Sequence, residues 1–455
     1  MTAILANFVA SARPEMLTSR ARDQLKEYLI DFMGVAIAAS QISDSTGPIC
    51  NAVAALGGSS GPCTVLGKGR SFTLQYAGLL NATLGHSLDF DDTYAKGTLH
   101  AGVTAIAAGL NQAEFLGRAA DIDQFLVAVA VGYEVTCRLG KELGNEAYSR
   151  GFHNTSTAGI FGAVATIAVL KNLPVNTIEN AFGLAGSKTA GSMQYLENGS
   201  WNKRLHPGFA VHDAFLCVAL AEAGVIGAAK IFEGTFGFLH AYSPKGDKDL
   251  ASLVGELGSR WEFLETSLKP FPACRMTHGF IETAAKIGCN KRVIQPAEVK
   301  TITLSLSPAN VSVVGARTRN KLHPLNMVDA QFSAYFTTAH SFLYGSDKGV
   351  SCYEKDRLTD PAIYELSEKI TCVGDPSIRH FGSRIKVEYI NGDAEEVDIP
   401  YPLGEAQHPF TRDQVDAKFF SLVTPVLGEP KAVRIRDTVN DIEKHTVSEL
   451  LDMLY

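Results

Sequence analysis

Acidic side chains and histidines are concentrated in one short stretch of the chain, residues 85–102. The groups there that could exchange protons or hydrogen bonds are His86, Asp89, Asp91, Asp92, Thr93 and His100. Histidine titrates near neutral pH and a carboxylate can orient it, so this set could move a proton to or from a substrate. Two alternatives stay open, a cap for the next helix and a metal site. Since the spacing fits neither a zinc helix nor a calcium loop, we predict no metal.

A second candidate group lies just before an apolar stretch. Residues 158–170 are apolar enough for a buried helix. His153 comes shortly before them, where the positive end of a helix favours an anion. The alternative is that His153 only caps this helix.

Two cations precede another apolar helix. Lys203 and Arg204 lie in residues 201–208, together with His206. Charged donors of this kind form strong hydrogen bonds to carboxylates. A solvated basic loop is the alternative, although Trp201 and the Pro207-Gly208 pair favour an ordered structure.

The character of the sequence changes near residue 267. Pro270 and Pro272 stiffen residues 267–279, and clefts form at such hinges between domains. This segment contains Lys269, Cys274 and Arg275. Further on, residues 330–335 end in Tyr335, and they could be no more than a helix in a second core.

The first half of the chain is predicted to be helical. Alanine- and leucine-rich runs flank the acidic stretch at residues 76–84 and 101–110, and they are typical of buried helices. The same holds for residues 20–40, 122–139, 158–170, 178–186 and 210–229. Strand-like alternation is almost lacking through residue 265. We therefore predict a large all-helical domain over residues 1–266.

The second half is predicted to mix strands and helices. Residues 299–306 and 384–390 alternate apolar and polar side chains, and Asn391-Gly392-Asp393 predicts a hairpin turn. Residues 329–343 and 363–370 are predicted helices. We therefore predict a smaller α+β domain over residues 267–403. Helices are predicted again at residues 412–422 and 439–454, so we expect residues 404–455 to complete the first domain. The predicted fold class is mainly α.

The composition excludes several classes of protein. The 455 residues carry a net charge of −7, which argues against nucleic acid as the partner. Eight scattered cysteines without a Cys-x-x-Cys pair argue against zinc and disulfide frameworks. We find no apolar run long enough for a membrane span and no signal-like N-terminus, so we expect a cytoplasmic protein.

Five of these motifs, in order, resemble the MmgE/PrpD family over nearly the whole chain. They are residues 86–100, Gly151-Phe152-His153, residues 203–208, residues 269–279 and residues 331–335. The family contains 2-methylcitrate dehydratases, cis-aconitate decarboxylases and iminodisuccinate epimerases. The resemblance implies a homodimer whose subunits have a helical domain and an α+β lid, working without metal or organic cofactor.

The resemblance also implies a role for individual residues. It gives His100, His153, Asp89 and Tyr335 as catalytic residues, and Thr93, Lys203 and Lys269 as substrate-binding residues. The substrate carboxylates need further cations, for which Arg204 and Arg275 are candidates. Cys274 is counted with the binding residues; some decarboxylases have histidine there and others cysteine, so it does not distinguish the reactions.

The expected function is that of a cofactor-independent lyase acting on a small di- or tricarboxylic acid. Removal of a proton next to a carboxylate creates negative charge that nearby cations stabilise. Dehydration of a citrate-like hydroxy acid ranks first, decarboxylation of a cis-aconitate-like acid second and epimerisation of an iminodisuccinate-like acid third. Outside enzymes, the alternative is a carboxylate-binding protein without turnover.

Overall fold

The first part of the chain is built from helices, as predicted. The computed structural model describes residues 1–117, 121–243, 253–290, 295–346 and 349–455. Ten α-helices lie in the described residues before position 244: α1 Thr2–Ala10, α2 Ser19–Ile42, α3 Thr46–Ala55, α4 Leu74–His86, α5 Gly102–Leu116, α6 Ile122–Ser149, α7 Asn154–Leu170, α8 Val175–Ala185, α9 Asn202–Glu222 and α10 Phe238–Tyr242. All 17 residues of α7 are buried, so this helix lies at the centre of the helical part.

Helix α9 begins earlier than the sequence indicated. The predicted helix of residues 210–229 actually starts at Asn202 and ends at Glu222, so Lys203 and His206 lie on its first turns rather than in a preceding loop. At Gly208, an added Cβ would lie 2.7 Å from the carbonyl oxygen of Leu79 in α4. This glycine therefore allows α9 to approach α4 closely, which brings Lys203 next to the end of α4.

A small hairpin interrupts the helices. Strands β1 Cys63–Val65 and β2 Gly69–Phe72 pair in antiparallel fashion within residues 1–266, which were predicted to be all-helical. Gly67, in the loop between the strands, has a φ of 70°, a conformation that glycine adopts without strain.

The smaller part combines one sheet with short helices. Its strands are β3 Val299–Leu306, β4 Ile370–Gly374, β5 Ser383–Tyr389 and β6 Ala394–Ile399. The sheet order is β4-β3-β5-β6, with β4 parallel to β3 and the other neighbours antiparallel. The described helices are α11 His278–Asn290, α12 Pro308–Asn310, α13 Arg319–Leu322, α14 Met327–Gln331, α15 Ala334–Tyr344, α16 Lys355–Leu358 and α17 Pro361–Glu368.

Two predictions in this part were wrong in detail. The predicted helix of residues 329–343 is divided into α14 and α15, because the Ser333 hydroxyl accepts a hydrogen bond from the Phe336 amide and starts a new helix. The predicted helix of residues 363–370 ends at Glu368, and β4 follows after a single residue. The predicted strands and the turn at Asn391-Gly392 are confirmed.

The C-terminal residues return to the helical part. Helix α18 spans Arg412–Leu427 and packs on α2, α19 spans Glu429–Asn440 and α20 spans Val447–Leu451. The predicted helix of residues 439–454 is wrong, since α19 ends at Asn440 and the Thr446 hydroxyl caps α20. Short 3₁₀ turns lie at Pro14–Met16, Ala95–Gly97, Met193–Glu197, Glu262–Glu265, Arg275–Thr277, Pro296–Glu298, Ser351–Tyr353 and Ile442–Lys444, and a π turn at Val311–Gly315.

The buried apolar residues form two large cores. The first core consists of residues between Leu5 and Leu268 and between Val415 and Leu454. The second consists of residues between Cys274 and Tyr389, together with Met193 and Tyr195. A division at residues 267 and 403 agrees with this distribution, and those boundaries stay a prediction. Among the described helices, none combines the length and the apolar character that crossing a membrane requires.

Candidate active site

The acidic stretch of the sequence forms a buried turn after α4, the Asp89 turn (residues 87–92). Asp89 has a φ of 51°, the left-handed conformation that costs a non-glycine residue about 1–2 kcal/mol. The residue is 3% exposed, and its Oδ1 atom accepts hydrogen bonds of 2.9 Å from both Lys203 Nζ and Lys269 Nζ. One carboxylate thus binds two buried ammonium groups.

A second carboxylate lies between two imidazoles. The Asp91 Oδ2 atom is 2.8 Å from His86 Nδ1 and 3.1 Å from His100 Nδ1, the latter without the alignment of a hydrogen bond. The His86 Nε2 atom lies 2.9 Å from Lys203 Nζ. An ammonium group can only donate, so His86 Nε2 accepts, and the ring proton is on Nδ1, where Asp91 accepts it. His86 is therefore neutral and fixed in one tautomer.

His153 has a histidine partner of its own. Its Nδ1 atom lies 3.0 Å from Nδ1 of His206, so one ring donates and the other accepts. The rings of His86 and His153 are 5.6 Å apart, and those of His100 and His153 are 6.4 Å apart. Four histidines of the helical part thus meet around the Asp89 turn.

A small cavity opens between this cluster and the smaller part of the protein. Its volume is about 30 Å³, enough for one water molecule. The residues that line it are Asp89, Thr93, Thr98, Leu99, His100, Tyr148, His153 and Lys203 from the helical part, and Cys274, Arg275, Met276, Phe332 and Phe381 from the other side. Within the described residues, Asp89 Oδ2 and Thr93 Oγ1 are buried without a hydrogen-bond partner. Such unpaired buried atoms at a cavity indicate a site for a polar ligand.

Burial and charge set the protonation states in this cluster. Burial would raise the pKa of Asp89, but Lys203 and Lys269 hold it well below its usual range. Burial lowers the pKa of His100, and Lys203 lowers it further. Burial, His206 and Lys203 also lower the pKa of His153. At neutral pH the cavity therefore presents ionised Asp89 beside neutral His100 and His153.

The comparison with known protein families agrees with this arrangement. Residues 3–251 match the MmgE/PrpD N-terminal domain and residues 271–444 match the MmgE/PrpD C-terminal domain. The two matches cover most of the chain. This protein is a member of the MmgE/PrpD family.

Curated relatives of this MmgE/PrpD protein carry informative names. The cis-aconitate decarboxylase-like protein oryM of Aspergillus oryzae is 27% identical, over 100% of this chain and 97% of its own length. The cis-aconitate decarboxylase of Aspergillus terreus is 25% identical, over 87% and 84%. The human cis-aconitate decarboxylase is 27% identical, over 72% and 64%.

Seven of the predicted site residues line the cavity of this MmgE/PrpD protein: Asp89, Thr93, His100, His153, Lys203, Cys274 and Arg275. Lys269 is fully buried and lies behind Asp89, whose backbone and side-chain oxygens accept its bonds. Burial raises the pKa of the Cys274 thiol to about 11, so this cysteine is a neutral part of the wall.

Two predicted residues are placed away from the cavity. Arg204 Nη1 contacts Asp44 and lies 3.1 Å from Ser45 Oγ, because it projects from α9 toward the start of α3. The Tyr335 hydroxyl donates to the Gly315 carbonyl at 2.7 Å, inside the core of the smaller part. The structure therefore brings neither side chain to this cavity.

Arg275 lines the cavity, but its charged group is already occupied. The Nε and Nη2 atoms lie 2.8 and 2.7 Å from Glu405 Oε1, and Nη1 donates to the Leu403 carbonyl at 2.9 Å and to His278 Nδ1 at 3.0 Å. All three nitrogens thus have partners in the protein. Arg275 joins the chain after β6 to the cavity wall, and its binding of substrate stays a prediction.

Sequence reasoning missed several residues of this site. His86 and Asp91 lay in the acidic stretch, yet only the resemblance distinguished His100 from them. His206 was noted in residues 201–208 without a role, and its helical position three residues after Lys203 could have placed it on the same face. Phe332 lay in the motif of residues 331–335 without a role of its own. Tyr148 and Phe381 carried no signal, since they reach the cavity from distant segments.

One group in the described residues could hold a metal ion. His86, Asp91 and His100 offer ligand atoms that all lie within 4.8 Å of one another. An ion bound to His86 Nδ1 would replace the proton that Asp91 now accepts, 2.8 Å away. It would also share His86 with the ammonium of Lys203, and two cations on one imidazole repel each other. The predicted absence of a metal stays a prediction.

Proposed function

We propose that this protein is a lyase that acts on a small tricarboxylic acid, and that decarboxylation of a cis-aconitate-like acid is its reaction. The observation that carries the proposal is the buried cavity in which Lys203, Thr93, His100 and His153 meet beside an ionised Asp89. The names of the relatives favour decarboxylation over the dehydration that the sequence ranked first.

Lys203 supplies the positive charge for a substrate carboxylate. Its ammonium has three hydrogens, and the two bonds to Asp89 and His86 leave one for a ligand. The unpaired Thr93 hydroxyl can donate to the same or a neighbouring carboxylate. Lys269 does not line the cavity, but its positive charge offsets the negative charge of Asp89. This reduces the repulsion between the Asp89 carboxylate and an anionic substrate.

The leaving carboxylate can occupy the apolar side of the cavity. Leu99, Met276, Phe332 and Phe381 contribute that side. Breaking the bond from the methylene carbon to its carboxylate releases CO2, and the electron pair forms a new double bond. The former double-bond pair moves to the carbon next to another carboxylate as an enediolate. An apolar surface that excludes water favours the conversion of this charged carboxylate into neutral CO2.

A proton must then reach that carbon, and we propose His100 as its donor. His100 is neutral in the free protein, because burial and the nearby lysine lower its pKa. A substrate with several carboxylates adds negative charge beside the ring, which raises the pKa and favours proton uptake. His153, with His206 behind it, is the second candidate donor.

Dehydration of a citrate-like hydroxy acid is the second candidate reaction. The same neutral histidines could act as the base that removes a proton next to a carboxylate. In that case a further group must protonate the leaving hydroxyl. Epimerisation, which needs only removal and return of a proton, ranks third.

Substrate binding requires the cavity to open. A six-carbon tricarboxylic acid is larger than a water molecule, and the present volume of about 30 Å³ holds only one. Because the walls come from both parts of the protein, separating the helical part from the smaller part would admit the substrate. We propose that the smaller part acts as a lid and that it moves in this way.

We also propose that the protein acts as a homodimer, as the family resemblance implied. Phe209 and Leu216 are 51% and 46% exposed and lie two turns apart on one face of α9. A second copy of this chain could cover that face. Light scattering should give twice the chain mass, and the Phe209→Glu/Leu216→Glu variant should give one chain mass; a parent monomer would contradict the proposal.

The reaction is tested by incubating the purified protein with cis-aconitate, citrate, 2-methylcitrate and iminodisuccinate. Proton NMR in deuterated water follows both the products and exchange of hydrogen next to each carboxylate. Loss of CO2 from cis-aconitate with one deuterium on carbon supports the proposal. Water loss from a hydroxy acid supports the second candidate, and saturable binding without any change supports a carboxylate-binding protein.

A further inference from the structure

Three consecutive carbonyl groups of the Asp89 turn are each bound by a side chain from a different part of the chain. The Leu88 carbonyl accepts from Gln331 Nε2 at 2.8 Å. The Asp89 carbonyl accepts from Lys269 Nζ, and the Phe90 carbonyl accepts from Lys418 Nζ at 2.7 Å. These donors come from α14, from the segment between the two parts and from α18.

The turn needs such donors for a physical reason. Residues 88–90 belong to no helix or strand, so their buried carbonyls lack the partners that regular structure supplies. Asp89 also holds a left-handed φ of 51°, which persists only where the surroundings fix it. Three donors that converge on the turn provide that constraint.

Lys418 is an unusual residue for a helix core. It is 7% exposed, its Nζ atom lies 2.5 Å from Asp31 Oδ1 in α2, and it sits 3.9 Å from the centre of the Phe90 ring. Lysine is rarely buried without a specific partner. The ion pair with Asp31 satisfies the charge, and the bond to Phe90 directs it at the turn that carries Asp89.

We propose that Lys418 and Gln331 are positioning residues for the active site, which act through the Asp89 turn without touching the substrate. Lys418 fixes the turn from the helical part. Gln331 fixes it from the smaller part, because its Nε2 atom also donates to the Pro272 carbonyl at 3.0 Å. This inference rests on the proposed function, since it explains how Asp89 is held against Lys203.

The test removes the buried ion pair as a unit. In the Asp31→Leu/Lys418→Met variant no charge is left unpaired, and replacing a buried pair by apolar residues is often neutral for stability. We expect a melting temperature near that of the parent, a kcat lower by about tenfold or more, and KM changed by less than about threefold. A folded variant with the parent's kcat would overturn the proposal.

The matched control is Asp31→Asn, which keeps Lys418 and its bond to Phe90. Because Lys418 then lacks its charged partner, we expect a lower melting temperature. The folded variant should keep a kcat within about twofold of the parent, since the turn keeps its donor. When Asp31→Leu/Lys418→Met is added to an Asp89→Asn variant, kcat should fall further by less than about twofold, because the carboxylate that Lys418 positions is already absent. A full additional loss there would show that Lys418 acts by another route.

The positioning role is also tested by a second variant, Gln331→Met, and by hydrogen exchange, which does not depend on turnover. Gln331→Met removes the donor to Leu88 at similar size, and we expect a similar loss of kcat. Hydrogen exchange of the peptide containing residues 86–93 should be at least about tenfold faster in both variants, while a peptide within α7 is unchanged. If no acid is turned over by the parent, the proposed function fails, and unchanged exchange at 86–93 would separately overturn the positioning role.

Discussion

Lys203 and Arg204 are neighbours in α9, yet their charged groups have different partners. The Lys203 Nζ atom lies 2.9 Å from Asp89 Oδ1, whereas the Arg204 Nη1 atom lies 3.1 Å from Ser45 Oγ and contacts Asp44. Successive side chains of a helix are about 100° apart, which explains the difference. One residue of the pair lines the cavity and the other fastens α9 to the start of α3.

The first prediction compares these two residues. Lys203→Met should raise KM for a tricarboxylic acid roughly 30-fold or more, because losing a buried charged partner costs about 2–5 kcal/mol. Arg204→Met should leave KM within about twofold and lower the melting temperature instead. Steady-state kinetics and thermal melting on both variants check this. A larger KM effect for Arg204→Met would show that the substrate reaches Arg204.

The second prediction concerns Tyr335, which the family resemblance gave as catalytic. Its hydroxyl donates to the Gly315 carbonyl at 2.7 Å, so Tyr335→Phe should cost about 1 kcal/mol of folding stability. The turnover rate should stay within about twofold. Denaturant unfolding and kinetics on one preparation measure both. A hundredfold loss of kcat at unchanged stability would place the hydroxyl in the reaction.

The third prediction is a pH profile. Burial and Lys203 lower the pKa of His100, so the free protein holds this ring neutral at pH 7, and its protonated fraction grows as the pH falls. If protonated His100 donates to carbon, kcat/KM for decarboxylation should rise as the pH falls from about 8 to about 6. A base needs the neutral ring, so a rise of kcat/KM with pH would favour dehydration. The His100→Gln variant should lose this dependence.

The fourth prediction is that the protein works without a metal ion. The ammonium of Lys203 lies 2.9 Å from His86 Nε2, and this charge disfavours a second cation at His86, Asp91 and His100. We expect substoichiometric metal by elemental analysis of the purified protein and unchanged turnover after treatment with a chelator. A stoichiometric ion whose removal abolishes turnover would contradict the prediction.

The sequence predicted the architecture because its periodicity is strong. Buried helices such as α7 consist of small and apolar residues throughout, and β5 alternates buried and half-buried residues along its length. The errors lie where local signals were weak or in conflict. Ser333 interrupts a helical pattern with a cap, and β4 follows α17 after a single residue, so neither boundary has a periodic signature.

The site was predicted in part for a different reason. The sequence motifs predicted Asp89, His100, His153 and Lys203 as site residues, because their residue types suit acid–base chemistry and binding of carboxylates. Sequence alone could not distinguish a cation that faces the cavity, such as Lys203, from one that is used internally, such as Arg275. It gave no indication of Lys418, since the contact of this residue with Phe90 joins positions more than 300 residues apart.

The proposed transfer of a proton from His100 to carbon can be measured by isotope incorporation. The parent and the His100→Gln variant are incubated with cis-aconitate in deuterated water, and NMR counts deuterium in the decarboxylated product while thermal melting confirms folding. We expect one deuterium per product from the parent and a turnover lower by about 10²–10⁴-fold in the folded variant. A folded His100→Gln protein that forms the same product at the parent's rate would contradict the catalytic role of His100 and make His153 the leading candidate donor.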